Sequence, residues 1–484
     1  MSRTEITIPP ERGMLDPVIR FVLNYAKKIK LGPLKQEYLK NTCSTVLELA
    51  ILRSENLRLK GKIKVLLEKS DNRLLIEILN KGCPLFPDEF FPLPEKPSIF
   101  ELQSKMDFCS LDFHNNGREG QSVKISVQLD GPGDAGSMQK NEPVATGEIT
   151  LRRAAGEDAS RISSLFYQVY EYRYINEYVY FPDKLRSMIE QEKLVSVIAE
   201  SASGELMGHV GLVKRNDSPP VYEAGLGIVD PVCGSSGLFG RLFGSIIEII
   251  KTTPMQYCVY DFVTNHDYSQ RRVARFGYCD MALFIGNQVA DTQARLELIG
   301  IGADPKDMDR YSLLLAIEPH VPRPFGKTVV LPVNLGEACG FLLKPLNINW
   351  LPEPRFYPLP PAGDFRLDVQ KEQKTAIFDF HQPGKQALDR VIEKWRQLLP
   401  ENIQYFAIDV PVDFSGLGQL YDALSKHGFF MAGFLPYNYS DRLGFRFQFL
   451  APSKVNFDGI KLFSENGRRL LRIVRDNYQR NRVI

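Results

Sequence analysis

Residues 229–239 read Val229-Asp230-Pro231-Val232-Cys233-Gly234-Ser235-Ser236-Gly237-Leu238-Phe239. The run before them, Tyr222–Val229, predicts a strand. The run after them, Leu238–Lys251, repeats apolar residues at helical spacing through Leu242, Phe243, Ile246, Ile247 and Ile250. A strand, a loop of small residues and a helix make a holder for phosphate. Without bulky side chains, an anion can approach the loop backbone. The first N–H groups of the helix have no internal partner, and the helix dipole favours negative charge at that end. Glycine and serine at a helix start are also ordinary caps, so the surroundings of the loop have to decide.

The surroundings alternate between strand and helix. Ile149–Arg152 predicts a strand, and Glu157–Tyr170 an amphipathic helix through Ile162, Leu165, Phe166 and Val169. Leu194–Ala199 and Leu206–Val213 predict two strands around the turn Ser201–Gly204. Beyond the loop come a strand at Gln256–Val263, a helix at Asp267–Phe276, the pair Gly277-Tyr278 and a strand at Cys279–Ile285.

This order resembles the GNAT superfamily of N-acyltransferases, in which V-x-P-x-x-[RQ]-x-x-G-x-[GA] joins a strand to the helix that receives the pyrophosphate of CoA. Val229, Pro231 and Gly237 match; Gly234 replaces the Arg or Gln, and Phe239 the last small residue. VTNHDYSQRRVARFGY, from His266 to Gly277-Tyr278, is similar to the second signature of that family. The resemblance covers about one third of the chain. It implies an α/β fold with a mixed sheet flanked by helices, acyl-CoA (acetyl-CoA by default) as co-substrate, and an amine acceptor on a small molecule, peptide or protein. It places CoA against Ile228, Val229, Gly234, Ser235, Ser236, Gly237, Leu238 and Phe239. The backbone near Gly225–Gly227 is expected to polarise the thioester carbonyl.

Acyl transfer to an amine needs a base for the amine proton. Glu223, on the strand leading into the loop, stands where relatives often carry a carboxylate; an exposed strand residue is the other reading. The family's tyrosine acid falls at Val273, so His266 and Tyr268 are the candidates for protonating the thiolate, with an unassisted thiolate or an inactive site as the alternatives. For His266 a capping or packing role is the alternative. Cys233 has no histidine partner in view and reads as packing.

In the N-terminal block, helices are expected at Leu15–Ile29, Gln36–Arg53 and Ile99–Asp107. Ile6–Pro9 precedes them. A hairpin is expected from Lys62–Leu67 and Arg73–Leu79, with a closing strand at Ser122–Leu129. The layout, with KGCPLFPDEF and MDFCSLDFHNNGREG, resembles the anti-sigma-factor kinases of the GHKL ATPases, an α/β sandwich. The magnesium-binding Asn of that family falls at Leu52, four after Glu48, and its adenine-recognising Asp at Asn80; the lid glycines are replaced around Lys96-Pro97-Ser98-Ile99. A leucine cannot ligate magnesium. The block is therefore read as a degenerate domain for homodimerisation, regulation or partner binding, without ATP.

The last block expects strands at Thr375–Phe380, Ile403–Ile408, Phe430–Leu435 and Gly444–Leu450. Its helices are expected at Lys385–Leu399 and Leu417–Lys426, the second ending at His427-Gly428-Phe429. This resembles the second half of a GNAT domain. Its Gln382-Pro383-Gly384 loop lacks the second glycine, so no CoA site is assigned to it. The arginines of the tail, Arg468 to Arg482, read as a solvated helix face.

The expected boundaries are 1–130, a linker at 131–148 that is rich in Gly and polar residues, 149–318 and 326–484. A 484-residue chain with 44% hydrophobic and 24% charged residues fits several globular domains. A net charge of +2 gives no reason to expect nucleic acid. The polar N-terminus and the lack of a long apolar run predict no signal peptide and no membrane span. The seven scattered cysteines predict neither disulfides nor a metal site, and with them a bacterial cytoplasmic setting is expected. A non-catalytic regulatory or scaffolding protein built on degenerate ATPase and GNAT folds is the competing functional reading.

Overall fold

The computed structural model describes residues 3–55, 61–70, 73–81, 109–129, 149–170, 172, 174–217, 220–230, 233, 237–289, 310–320, 326–353, 357–436, 442–451 and 456–482. The fold is α/β throughout. The chain forms two compact units, Met1–Glu192 with Ile198–His209, and Lys193–Val197 with Val210–Ile484.

In the first unit, strands β1 (Arg3–Ile8), β2 (Ile63–Lys69), β3 (Arg73–Asn80), β4 (Cys109–Asn115) and β5 (Gln121–Gln128) form an antiparallel sheet in the order β1-β2-β3-β5-β4. Alternating residues face one side: Ile63, Val65 and Leu67; Leu74, Ile76 and Ile78; Val123, Ile125 and Val127. Helices α1 (Leu15–Lys28) and α2 (Pro33–Glu55) bury Val18, Val22, Leu39, Cys43 and Val46 in the same core. The helix expected at Ile99–Asp107 and the linker at 131–148 lie outside the described residues. The unit continues through β6 (Thr150–Arg153), α3 (Ala159–Tyr170), α4 (Pro182–Glu190) and the end of β7 (Leu194–Glu200). Asp158 is held by Arg152 at 2.7 Å and by Arg161 at 3.0 Å. Glu200 accepts from both arginines as well. This network ties the start of α3 to β6 and β7.

The second unit holds most of β8 (Leu206–Asp217). Next come β9 (Pro220–Val229), α5 (Leu238–Thr252), β10 (Tyr257–Val263), α6 (Tyr268–Ala274), β11 (Cys279–Val289) and β12 (Arg310–Pro319). A parallel ribbon of β13 (Thr328–Leu331) and β14 (Asn349–Pro352) flanks α7 (Val333–Cys339). There follow β15 (Asp364–Gln370), β16 (Thr375–Gln382), α8 (Lys385–Leu398), β17 (Tyr405–Pro411), α9 (Leu417–Ser425), β18 (Phe430–Leu435), β19 (Gly444–Leu450) and α10 (Glu465–Arg482).

The sheet of this unit runs β15-β16-β17-β19-β18-β11-β12-β10-β9-β8. It contains one pattern twice. In β9-β10-β12-β11 and in β16-β17-β19-β18 the first two strands are parallel and the others antiparallel. Both copies carry a register shift at the same place, between Asp280 and Ala282 and between Met431 and Gly433. The copies join where Ala282 of β11 pairs with Gly433 of β18. A Cβ on Gly433 would lie 2.3 Å from the Met281 carbonyl oxygen, so glycine is required at that junction. Helix α10 covers the junction: Asn477 accepts from the Met431 N–H, and Asn481 donates to the Phe429 carbonyl.

Candidate functional site

Strands β9 and β10 pair over three residues only, Val221–Glu223 with Tyr257–Val259. Beyond Glu223 and Val259 they no longer pair. In the other copy, β16 and β17 stay paired over five positions, from Thr375/Tyr405 to Asp379/Asp409. The splay in β9 coincides with a distortion. Leu226 has φ +53, between Gly225 and Gly227. A left-handed leucine inside a strand is uncommon, and such a kink re-aims the neighbouring backbone groups.

Helix α5 starts one short loop after β9. Its cap, Gly237, is left-handed at φ +77, and a Cβ there would meet nothing within 4 Å. Among the described residues, nothing therefore stands against the Cα of Gly237 on that side. Gly234, Ser235 and Ser236 lie outside the described residues. Ile228 and Leu238 are buried, and Val229 is half-buried. Phe239 turns onto the strand: a Cβ on Gly227 would be 2.8 Å from its ring. From there rings run Phe239, Phe243, Tyr260, Phe262 and Tyr278, with successive centroids 5.9, 6.2, 5.5 and 5.2 Å apart.

The other copy closes the equivalent helix start. The Lys385 N–H donates to the Pro360 carbonyl at 2.7 Å and the Gln386 N–H to Pro361 at 3.1 Å. A Cβ on Gly384 would overlap the Ala362 carbonyl. The donors that an anion would use are taken by the chain's own backbone.

Glu223, on β9, is half-buried and ion-paired with Arg215 of β8. Its Oε1 would lie 3.4 Å from a Cβ on Gly225, so the carboxylate lies along the strand towards the splay. His266 is half-buried and its Nδ1 has no hydrogen-bond partner. Burial holds its imidazole below the ordinary histidine value, against the opposing pull of Asp267. Its ring lies 5.2 Å from that of Tyr268, which is 56% exposed. No hydrogen bond, ion pair or ring contact among the described residues joins Glu223 to His266 or Tyr268. Val273 is fully buried, as an apolar residue at that helix position should be. Burial and the Asp230 carboxylate raise the Cys233 thiol, the opposite of what a nucleophile requires.

Sequence reasoning passed over Asp261. It is the one exposed residue of β10, two positions past the last β9 pair and on the face of Val259. It makes no hydrogen bond or ion pair with a described residue. Desolvation by the surrounding protein, then the Glu223 charge, pushes its carboxyl up to about 7, against the pull of Arg215 and Arg446, and the solvent at its exposed side works against that rise. A lone aspartate in YCVYDFV was the available signal.

Leu52 is 40% exposed and Asn80 is buried, accepting from Gln121 Nε2 at 3.0 Å. Among the described residues no group of His, Cys, Asp and Glu is arranged to hold a metal, and no helix is long and apolar enough to cross a membrane.

No family model and no curated protein matches the chain. Solved structures similar to it include the GNAT-family acetyltransferase of Streptococcus pneumoniae. That match has 10% identity, covers 36% of this chain and 100% of that one, and has a TM-score of 0.29. A GNAT-superfamily phosphinothricin acetyltransferase from Sinorhizobium meliloti, in complex with acetyl-CoA, is 14% identical over 35% of this chain and 88% of that one, with a TM-score of 0.27. An N-acetyltransferase from Staphylococcus aureus is 9% identical over 36% and 98%, with a TM-score of 0.26.

Proposed function

We propose that residues 149–318 are a GNAT-type N-acyltransferase domain that moves an acyl group from acyl-CoA to a primary amine. The observation that carries the reading is the splay of β9 from β10 beside the start of helix α5. A parallel pair that parts after three residues leaves a slot between strands. The slot is flanked by the distorted backbone at Leu226 and by the left-handed Gly237 at the head of α5. An extended thioester arm fits the slot, and its pyrophosphate fits the first turn of the helix. Backbone N–H groups near Gly225–Gly227 then polarise the thioester carbonyl. The sequence offers Glu223 as a candidate base and His266 with Tyr268 as candidate acids for the leaving thiolate.

Residues 326–484 are read as a pseudo-GNAT domain, because Pro360 and Pro361 occupy its helix start and β16 stays paired with β17. Residues 1–130 are read as a degenerate GHKL-like domain that binds a partner or a second copy, with Leu52 in place of the magnesium ligand. The acceptor is a small molecule, peptide or protein, and the setting is the cytoplasm.

Calorimetric titration of the full chain with acetyl-CoA, longer acyl-CoAs and Mg-ATP tests the whole reading. Saturable binding of an acyl-CoA is expected, and none of Mg-ATP. If no acyl-CoA binds, the scaffolding role replaces the enzymatic one; if Mg-ATP binds at micromolar affinity, about 8 kcal/mol, the N-terminal domain is not degenerate.

A further inference from the structure

The duplicated strand pattern gives Asp261 a twin. Tyr257 and Tyr405 open β10 and β17, paired with Val221 and Thr375. The fourth residue further along each strand is an aspartate, Asp261 and Asp409. Across the antiparallel neighbour, Asp409 faces Arg446 and Asp261 faces Leu315. Arg446 binds both oxygens of Asp409, at 2.6 and 2.7 Å, and Asp409 is wholly buried. One copy thus seals its aspartate with a guanidinium. The other has leucine there and leaves its aspartate solvent-exposed and unpaired among the described residues, on the strand that parts from β9.

From this difference we infer that Asp261 is the catalytic base, accepting the amine proton as the acceptor nitrogen attacks the thioester. The inference rests on the acyltransferase reading. Glu223 is committed to Arg215 and serves as a positioning charge beside the base. In the reaction the nitrogen lone pair forms the C–N bond and the nitrogen proton passes to Asp261 Oδ. The C–S bond breaks with its electron pair on sulfur, and the thiolate takes a proton from solvent. Asp261 then returns its proton to solvent, so the sum is amine plus thioester giving amide plus thiol. The charged groups facing Asp261 are Glu223 from β9, Arg215 from β8 and Arg446 from β19. A carboxyl raised towards neutrality in that setting is a better base than an ordinary aspartate.

Three measurements test it on the full chain. Infrared difference spectra taken across pH should show a protonated-carboxyl band in the wild type that vanishes on passing about pH 7 and is missing from Asp261→Asn. Thiol release from acetyl-CoA, with n-butylamine as the probe amine, should fall by about 10²–10⁴ in Asp261→Asn. Calorimetry should show unchanged acetyl-CoA affinity in that variant. Asp261→Glu should recover part of the rate with a shifted pH profile. Absence of the band from the wild type, or a wild-type rate and profile in Asp261→Asn, overturns the assignment. Failure of the wild type to bind acetyl-CoA overturns the acyltransferase reading instead, and the infrared band still reports whether Asp261 is protonated.

Discussion

Arg446 grips Asp409 through two hydrogen bonds in the interior of the second unit, where the two side chains are 6% and 0% exposed. The guanidinium also lies 4.5 Å over the Phe284 ring, so it reaches from β19 to the neighbouring copy's β11. Arg446→Ala leaves a buried carboxylate without its counter-charge. The expected loss is about 3–5 kcal/mol, read by denaturant unfolding. Replacing both residues by apolar ones of similar volume should recover most of it. A single variant as stable as the wild type would show that the pair does not hold this region.

Gly237 is left-handed where α5 begins, and a Cβ there would meet nothing within 4 Å. Gly237→Val should cost about 1–2 kcal/mol of stability for the backbone alone. It also puts a side chain where the pyrophosphate is proposed to bind. Gly277 is an internal control, since it too is left-handed, at φ +85, and a Cβ there would meet nothing within 4 Å. Both variants should lose similar stability, and only Gly237→Val should lose CoA affinity by calorimetry. Equal affinities in the two would remove CoA from this helix start.

Local patterns made most of the elements readable. Phe430–Leu435 and Gly444–Leu450 were expected with those bounds, because short apolar runs between turn residues suit buried strands. The helix from Leu238 shows its apolar face in sequence through Leu242, Phe243, Ile246 and Ile250, all buried in the structure. What escaped notice was set by distant partners or by weak local signals. β4, β12, β15 and the short α4 went unread; α4 starts at Pro182 and buries only two residues, so its pattern is faint. The Ala282–Gly433 pairing joins residues far apart in sequence and has no local signature. Asp261 drew no reading within the strand expected at Gln256–Val263. Its character depends on Leu315 opposite and on the parting of β9, and neither is written near residue 261.

Arg310 is 1% exposed and has no carboxylate partner among the described residues. It donates to the carbonyls of Gly286, Asn287 and Gln373, to Gln404 Oε1 at 3.1 Å and to Thr375 Oγ1 at 3.4 Å. Burial lowers its guanidinium to about 10. The acceptors come from β11 on one side and from the start of β16 and β17 on the other, so the residue clamps the two strand sets. Arg310→Met strands several buried acceptors, each costing about 1–3 kcal/mol. A drop of at least 3 kcal/mol is expected in chemical denaturation, together with faster hydrogen exchange at Gly286 and Thr375. Arg310→Lys should rescue little, because three donors on a point cannot span these acceptors. Full rescue by lysine would mean that charge alone matters at this position.

Asp261 also predicts how stability depends on pH. Desolvation by the surrounding protein, the largest cause, pushes its folded carboxyl up from the ordinary 3.8 to about 7, and solvent at its exposed side reduces that rise. Between about pH 4 and 7 the folded chain holds a proton that the unfolded chain has released. Unfolding therefore liberates a proton across that window, and this group makes the protein less stable as pH rises through it. Below the window both states are protonated and the effect is absent; above it the penalty is complete. Exposure of the side chain to solvent softens the size of the effect and leaves its direction intact. Asp261→Asn removes the ionisation while keeping the shape. Its melting temperature should therefore gain on the wild type as pH rises through the window and stay ahead above it. Glu223→Gln serves as a second probe, because removing that negative charge removes one cause of the raised value. Asp261 should then ionise at lower pH, and the window should narrow from its upper edge. Melting curves of the three proteins from about pH 4 to 8 decide the matter, with about pH 7 as the expected upper edge of the window. A melting-temperature difference between wild type and Asp261→Asn that stays constant across this range would mean that Asp261 is ionised throughout and has no raised value.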